Sequence, residues 1–234
     1  QIVRKRTDAR MIEVDPVVRP MYVEIAGPDI SDPGETLKAA LRTQWDIDAM
    51  IPDAVLAPWP EGADGVTVAL REEKIITALW PGFREHLVGL SVDIGSTTVA
   101  AQLSNLGSGE ILSEAGMMNP QIRFGEDVMS RISHIMMNPG SGAELTRVIR
   151  RAVGDLAAEC AAQAGLDRRD IVEVTVVGNP IMHHIFLGLD PVPLGQAPFP
   201  LAEDGPLEVA AADLGLDLNP GARVHVLPCI AGHV

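Results

Sequence analysis

The segment Leu90-Ser91-Val92-Asp93-Ile94-Gly95-Ser96-Thr97-Thr98-Val99-Ala100 constrains this chain more than any other. An apolar strand delivers an acid near its end, a glycine turn follows with three consecutive hydroxyl residues, and a second strand leaves at once. So short a connection suits only an antiparallel pair. The spacing predicts strands at 87–92, 98–103 and 110–115, the last two joined by the turn Asn105-Leu106-Gly107-Ser108-Gly109. A helix is predicted from about Gly125 to Met137, stopped by Pro139-Gly140-Ser141-Gly142, and a second from about Ala143 to Ala164, ended by Gly165.

Leu145, Val148, Ile149, Ala152, Val153, Leu156 and Cys160 give that second helix a continuous apolar stripe. Asp170–Val177 reads as a buried strand, and Pro180 opens a short helix to Leu187. The order β-β-β-α-α-β-α is that of half of a ribonuclease-H-like nucleotide-binding fold, an α/β lobe over residues 85–234. A boundary is expected at Pro81-Gly82. Before it come the strand Met21–Ile25 and the helical spacing of Leu37, Ala40, Leu41 and Trp45 behind Asp32-Pro33-Gly34-Glu35. With the strand pair Val66–Leu70 and Lys74–Leu79, these make a small α+β domain over residues 15–84. Residues 1–14, carrying Arg4, Lys5, Arg6 and Arg10, read as a linker.

The chain is 47% hydrophobic but 3% aromatic, so its core must rest on Ala, Val, Ile and Leu. With 18 Lys+Arg against 32 Asp+Glu, a net charge of −14, it has no basic footprint for nucleic acid. No apolar run reaches the roughly 18 residues that span a bilayer. Two cysteines argue against a disulfide framework and fit a reducing cytoplasm, the compartment expected. The chain opens on Gln1 and closes on Ala231-Gly232-His233-Val234 after the apolar run Val224–Ile230, which reads as a piece of a longer protein.

Three groups of residues could carry chemistry. In the first, Gly95 lets the backbone approach a ligand, and the turn amides with the Ser96, Thr97 and Thr98 hydroxyls can donate to phosphate oxygens. Asp93 stands where it could hold Mg²⁺ through water or orient an attacking water. The alternative is a hydroxyl-rich hairpin turn; neither a Walker loop nor a dinucleotide G-x-G-x-x-G occurs. The second group is Asn119-Pro120-Gln121 followed by Phe124–Ile132. Gln121 and Asp127 either line a cleft or serve as capping, with an Asp127–Arg131 pair one turn apart. The third is Gly178-Asn179-Pro180 at a strand end, where Asn179 is a ligand-facing residue or an N-cap. His183 and His184, adjacent on a helix, point about 100° apart, and no clear partner spacing suggests a metal. Cys160 and Cys229 read as small buried apolar residues, and Met117, Met118, Met129, Met136 and Met137 as core filling.

The four blocks Asp93–Thr98, Asn119–Gln121 with Phe124–Ile132, Val177–His184 and Leu227–Val234, in this order, resemble the reductive activators of corrinoid proteins. These are ferredoxin-type, ATP-dependent proteins of the actin, sugar-kinase and chaperone ATPase superfamily. The match covers roughly residues 85–234 and is weaker before that. The resemblance implies an N-terminal [2Fe–2S] domain, a linker, a small middle domain and a two-lobed actin-like ATPase domain. It implies passage of an electron from the cluster to the Co(II) corrinoid of a methyltransferase system, restoring Co(I) at the expense of ATP with Mg²⁺. On that reading Asp93 and Asp127 are catalytic, Asp93 also holding Mg²⁺ through water. Gly95, Ser96, Thr97, Thr98, Gln121, Gly178 and Asn179 line the nucleotide cleft. The corrinoid protein is the expected partner, with neither nucleic acid nor membrane; a homodimer is one assembly open to it.

Two departures stand out. The cluster cysteines are absent, and the second phosphate loop is expected only past Val234, so the chain corresponds to the middle domain and first ATPase lobe. Ser96 replaces the usual threonine and keeps the hydroxyl. Two other functions fit the same residues: a small-molecule kinase of the superfamily with Asp127 or Asp93 as base, and a non-catalytic interaction module.

Overall fold

Two sheets organise residues 14–25, 31–57, 59, 60 and 62–229, which the computed structural model describes. The basic residues of the linker and the terminal turn from Ile230 to Val234 lie outside them. The first sheet is antiparallel and ordered β1 (Val18–Glu24), β2 (Gly65–Arg71), β3 (Ile75–Pro81). Between β1 and β2 come helix α1 (Pro33–Trp45) and the single turn α2 (Asp53–Leu56). Asp32 starts α1 by accepting a hydrogen bond from the Glu35 amide, and Pro33 occupies the first position, where its missing N–H costs nothing. All seven residues of β2 are buried, because the sheet is covered on both faces. Val66, Val68 and Leu70 share a core with Leu37 and Leu41 of α1. Ala69, together with Val18, Ala78 and Trp80, packs on Leu87 and Val172 from the second half of the chain.

The second sheet contains β4 (Val88–Ile94), β5 (Thr98–Asn105), β6 (Ile111–Met118), β7 (Ile171–Gly178), β8 (Leu207–Ala210) and β9 (Arg223–Val226). Their order is β6-β5-β4-β7-β9-β8. β4, β5 and β6 run antiparallel in succession, β4 is parallel to β7 and β7 to β9, and β8 closes the edge antiparallel. This is the ribonuclease-H-like lobe of actin-like ATPases, preceded by a small α+β unit. Helices α3 (Val128–Met137), α4 (Ser141–Gln163) and α5 (Pro180–Leu187) complete it. Along β4 and β5 the side chains alternate. Leu90, Val92, Ile94, Val99, Ala101 and Leu103 enter a core with the α4 stripe, while Ser91, Asp93, Ala100 and Gln102 face outward. No described helix is long and apolar enough to cross a membrane.

Some elements differ from the sequence expectation. α3 starts at Val128 rather than Gly125, since residues 120–124 form a separate 3₁₀ turn and Asp127 caps the helix. β9 ends at Val226, short of the expected run to Ile230, and Pro228 just beyond cannot donate to a ladder. The edge strand β8 was not expected at all. Met118, Met129, Met136 and Met137 are exposed, not core. The buried face of α3 is set by Val128, Arg131 and Ile132, and the helical phase carries Met129, Met136 and Met137 outward.

A buried ion-pair group fastens the small unit to the lobe. Arg71 on β2 donates from Nε to Glu173 on β7 at 2.9 Å and from Nη2 to Glu208 on β8 at 2.6 Å, and Arg223 reaches Glu208 at 3.0 Å. Burial pushes the Glu173 carboxyl up to about 7 even though Arg71 pulls it down. Its folded-state value thus lies above the ordinary 4.5, so its contribution is complete below that pH and is lost as the pH rises through about 7. Against a Glu173→Gln variant, the wild type should lose about 1–3 kcal/mol of unfolding free energy between roughly pH 5 and pH 8. Denaturant melts at both pH values measure this; a constant difference would refute it.

Candidate functional site

The turn after β4 is built by pinning its carbonyls from one side. Gly95 N–H donates to Thr98 O at 3.0 Å and closes the turn. Asn119, at the end of β6, donates from its amide side chain to Gly95 O and from its backbone to Thr97 O, both at 2.8 Å. The Arg131 guanidinium donates to Ser96 O between them. Among the described residues, the Ser96 and Thr97 amides and the Ser96, Thr97 and Thr98 hydroxyls make no hydrogen bond. A compact set of donors not engaged by the protein itself suits an anion. Ser96 is half-buried, and Thr97, Thr98 and Asp93 are exposed.

Gly95 is fixed by sterics: a Cβ there would lie 2.5 Å from Thr98 O. Asp93 pairs in register with Ala100 on β5 and with Val177 on β7. Ile94 pairs with Gly178, and a Cβ on Gly178 would lie 3.1 Å from Ile94 O. The carboxyl ends of two parallel strands therefore meet at this turn, the usual location of ligands in α/β sheets. Asn179 caps α5, its side chain accepting from the Ile181 and Met182 amides at 3.1 and 3.0 Å.

The other expected site residues sit differently. Gln121 is fully buried, its side chain donating to Leu145 O at 2.9 Å and accepting from Arg131 at 3.2 Å, so it faces inward and not the cleft rim. Asp127 does not pair with Arg131. One of its oxygens accepts from both the amide and the hydroxyl of Ser130, at 2.7 Å each. Those Ser130 hydrogen bonds hold its carboxyl below the ordinary value, which makes it a weak general base. Arg131 turns inward instead and is 0% exposed. Beyond Ser96 O and Gln121, it donates to Gly125 O at 3.2 Å and to Met182 Sδ at 3.1 Å. Burial lowers its pKa and the Asp127 charge opposes that, but no carboxylate touches it. Sequence reasoning missed this role. The signal was a charged residue at a buried phase of α3, between Val128 and Ile132.

Phosphate oxygens and Mg²⁺-bound waters fit this donor set: unpaired amides and hydroxyls, an exposed carboxylate, and a guanidinium charge behind the turn. An iron–sulfur cluster does not. Cys160 is buried under β5 and Cys229 lies beyond β9, whereas a cluster takes four ligands. Replacing Arg131 with Met should cost about 1–3 kcal/mol, because it leaves the Ser96 and Gly125 carbonyls and the Gln121 amide oxygen without their donor. It should also raise amide exchange at Gly95 and Asn119, whose N–H groups donate to Thr98 O and Thr97 O; unchanged exchange there would show that Arg131 does not hold the turn.

Comparison with known proteins gives concordant findings. The family model described as RACo middle region matches residues 88–234, and that described as RACo linker region matches residues 7–86. The segment read from sequence as a small middle domain thus falls within the region those models describe as the linker. The corrinoid activation enzyme RamQ of Eubacterium limosum is 31% identical over 175 residues, 74% of this chain and 30% of RamQ. A solved structure titled reductive activator for corrinoid, iron–sulfur protein superposes with a TM-score of 0.75 at 27% identity, covering 97% of this chain and 38% of that one. The chain spans about a third of the length of these relatives.

Proposed function

This chain belongs to the RACo family of corrinoid reductive activators, and from that premise we propose that its lobe binds the phosphates of ATP for a protein that reactivates a corrinoid partner. In the whole protein, an electron from a [2Fe–2S] cluster would reduce the Co(II) corrinoid of a methyltransferase system to Co(I). The cluster would be carried outside this chain, whose own cysteines do not suit it. One observation carries the nucleotide reading: the turn at 95–98 has its carbonyls held from behind and its donors left over.

The chemistry that ATP supplies when bound is a phosphoanhydride whose hydrolysis can drive an unfavourable reduction. The residues of this chain bind and orient. Ser96, Thr97 and Thr98 would donate to phosphate oxygens, Gly95 keeps the turn narrow enough for them, and Asp93 would hold Mg²⁺-bound water. Arg131 positions the turn and adds positive charge behind it. Gly178 and Asn179 place the N-terminus of α5 beside the β4 end. Gln121 supports Arg131 without touching ligand. Asp127 is anionic and exposed, and its capping role leaves one oxygen for a metal-bound water. The low basicity of Asp127 weighs against a kinase that uses it as base.

In the complete protein, Asp93→Asn should lower ATP turnover by about 100-fold or more while the fold is kept, a loss typical of catalytic-site positioning. Phosphate release, with circular dichroism as control, measures this. Anaerobic absorbance of the Co(II) corrinoid protein should then show ATP-dependent formation of Co(I) with wild type and not with the variant. Turnover near the wild-type rate in Asp93→Asn would remove Asp93 from the site, and no nucleotide dependence in the wild type would end the reading.

A further inference from the structure

One turn into α5, away from the phosphate turn, lies a cluster that the nucleotide reading does not use. His183 and His184 sit in the lobe interior at 3% and 0% exposure, and Cys229 follows β9 at 9%. One ligand atom from each lies within 4.8 Å of the others, the single such trio of His, Cys, Asp or Glu among the described residues. The three come from two elements far apart in sequence, which is why spacing alone gave no hint of them.

The two histidines are in opposite states. His184 is satisfied: its Nδ1 lies 2.8 Å from Pro180 O, and its Nε2 accepts from the Ala202 amide at 3.0 Å. That fixes it as the neutral Nδ1–H tautomer. Among the described residues, neither nitrogen of His183 has a hydrogen-bond partner, although both are buried. A buried imidazole with no partner on either side is unusual, because its desolvation is left uncompensated. Beside it stands a thiol with no disulfide. The backbone holds that thiol in place through Cys229 N–H donating to Asp204 O at 3.1 Å.

We propose that His183, His184 and Cys229 form a site for a thiophilic divalent cation, with Zn²⁺ as the type case. A thiolate and two imidazoles are the donor set that selects Zn²⁺ over the oxygen-seeking Mg²⁺ of the nucleotide site. Around a tetrahedral ion such atoms stand about 3.5 Å apart, so closure by about 1 Å is enough. His183 and Cys229 anchor the ion with no bond to break. His184 joins as Nε2 is released by Ala202, which couples the ion to the 201–204 segment. The thiol proton leaves to solvent on binding, and the thiolate with the neighbouring Glu203 carboxylate offsets the dication. The three ligands leave a fourth position open.

Zn²⁺ titrated into the reduced full chain against a chromophoric chelator should bind at one equivalent. Cys229→Ser and His183→Gln should each weaken it by on the order of 100-fold, since a lost ligand costs at least what a lost outer partner does. Cys160→Ser should leave it unchanged. A second measurement needs no variant: Zn²⁺, and not Mg²⁺, should slow alkylation of Cys229 in the wild type, read by peptide mass, with Cys160 as internal reference. Undiminished binding in Cys229→Ser, or alkylation of Cys229 indifferent to saturating Zn²⁺, would overturn the site. Neither readout involves nucleotide, so failure here leaves the ATP reading standing.

Discussion

The buried cation Arg131 holds the turn after β4 in shape. Its guanidinium is wholly removed from water, yet among the described residues it meets no carboxylate, only the carbonyls of Ser96 and Gly125, the Gln121 amide oxygen and the Met182 sulfur. Neutral acceptors satisfy the donors without cancelling the charge. The residual positive potential is therefore available behind the turn, where an anion would be held. Asn119 works alongside it, and together they take the turn's carbonyls out of play. Glycine serves the same end: a Cβ on Gly125 would lie 2.7 Å from the Arg131 amide nitrogen, so only glycine lets the chain pass this close to the first turn of α3, where Arg131 stands.

The parts of the fold legible in the sequence were those written in periodicity and punctuation. The α4 stripe from Leu145 to Cys160 and the stop at Gly165, whose φ of 70° suits glycine, placed that helix to within two residues. The strands β4 to β7 followed from apolar runs between turn residues. What escaped was written in tertiary contact. β8 has only four residues, half-buried or exposed, and exists because β9 lies beside it. The exposed methionines of α3 were misjudged because type was weighed and helical phase was not.

The site was legible to a similar degree. An acid, a glycine and three hydroxyls between two strands marked out the turn that joins β4 and β5. The loop polar residues were harder, because Gln121, Asp127 and Asn179 are residue types that a cleft could use, yet each satisfies a backbone or buried partner. Capping and ligand binding draw on the same residue types at the same places, helix starts beside strand ends, and only coordinates separate them. The His183–Cys229 proximity spans 46 positions (229 − 183) and could not be read from one helix.

The seam between the two sheets has a bearing on how such a protein can be taken apart. Arg71 contributes the cation and Glu173 and Glu208 the anions, while Val18, Ala69, Ala78 and Trp80 share one apolar patch with Leu87 and Val172. Severing the polypeptide near Pro81-Gly82 would leave Arg71 with Glu72 alone in one half, and in the other an orphaned Glu173 beside a Glu208 held only by Arg223, each flanked by newly wetted hydrocarbon. The halves are thus not interchangeable modules, and a swap of either between relatives must carry its opposing face along.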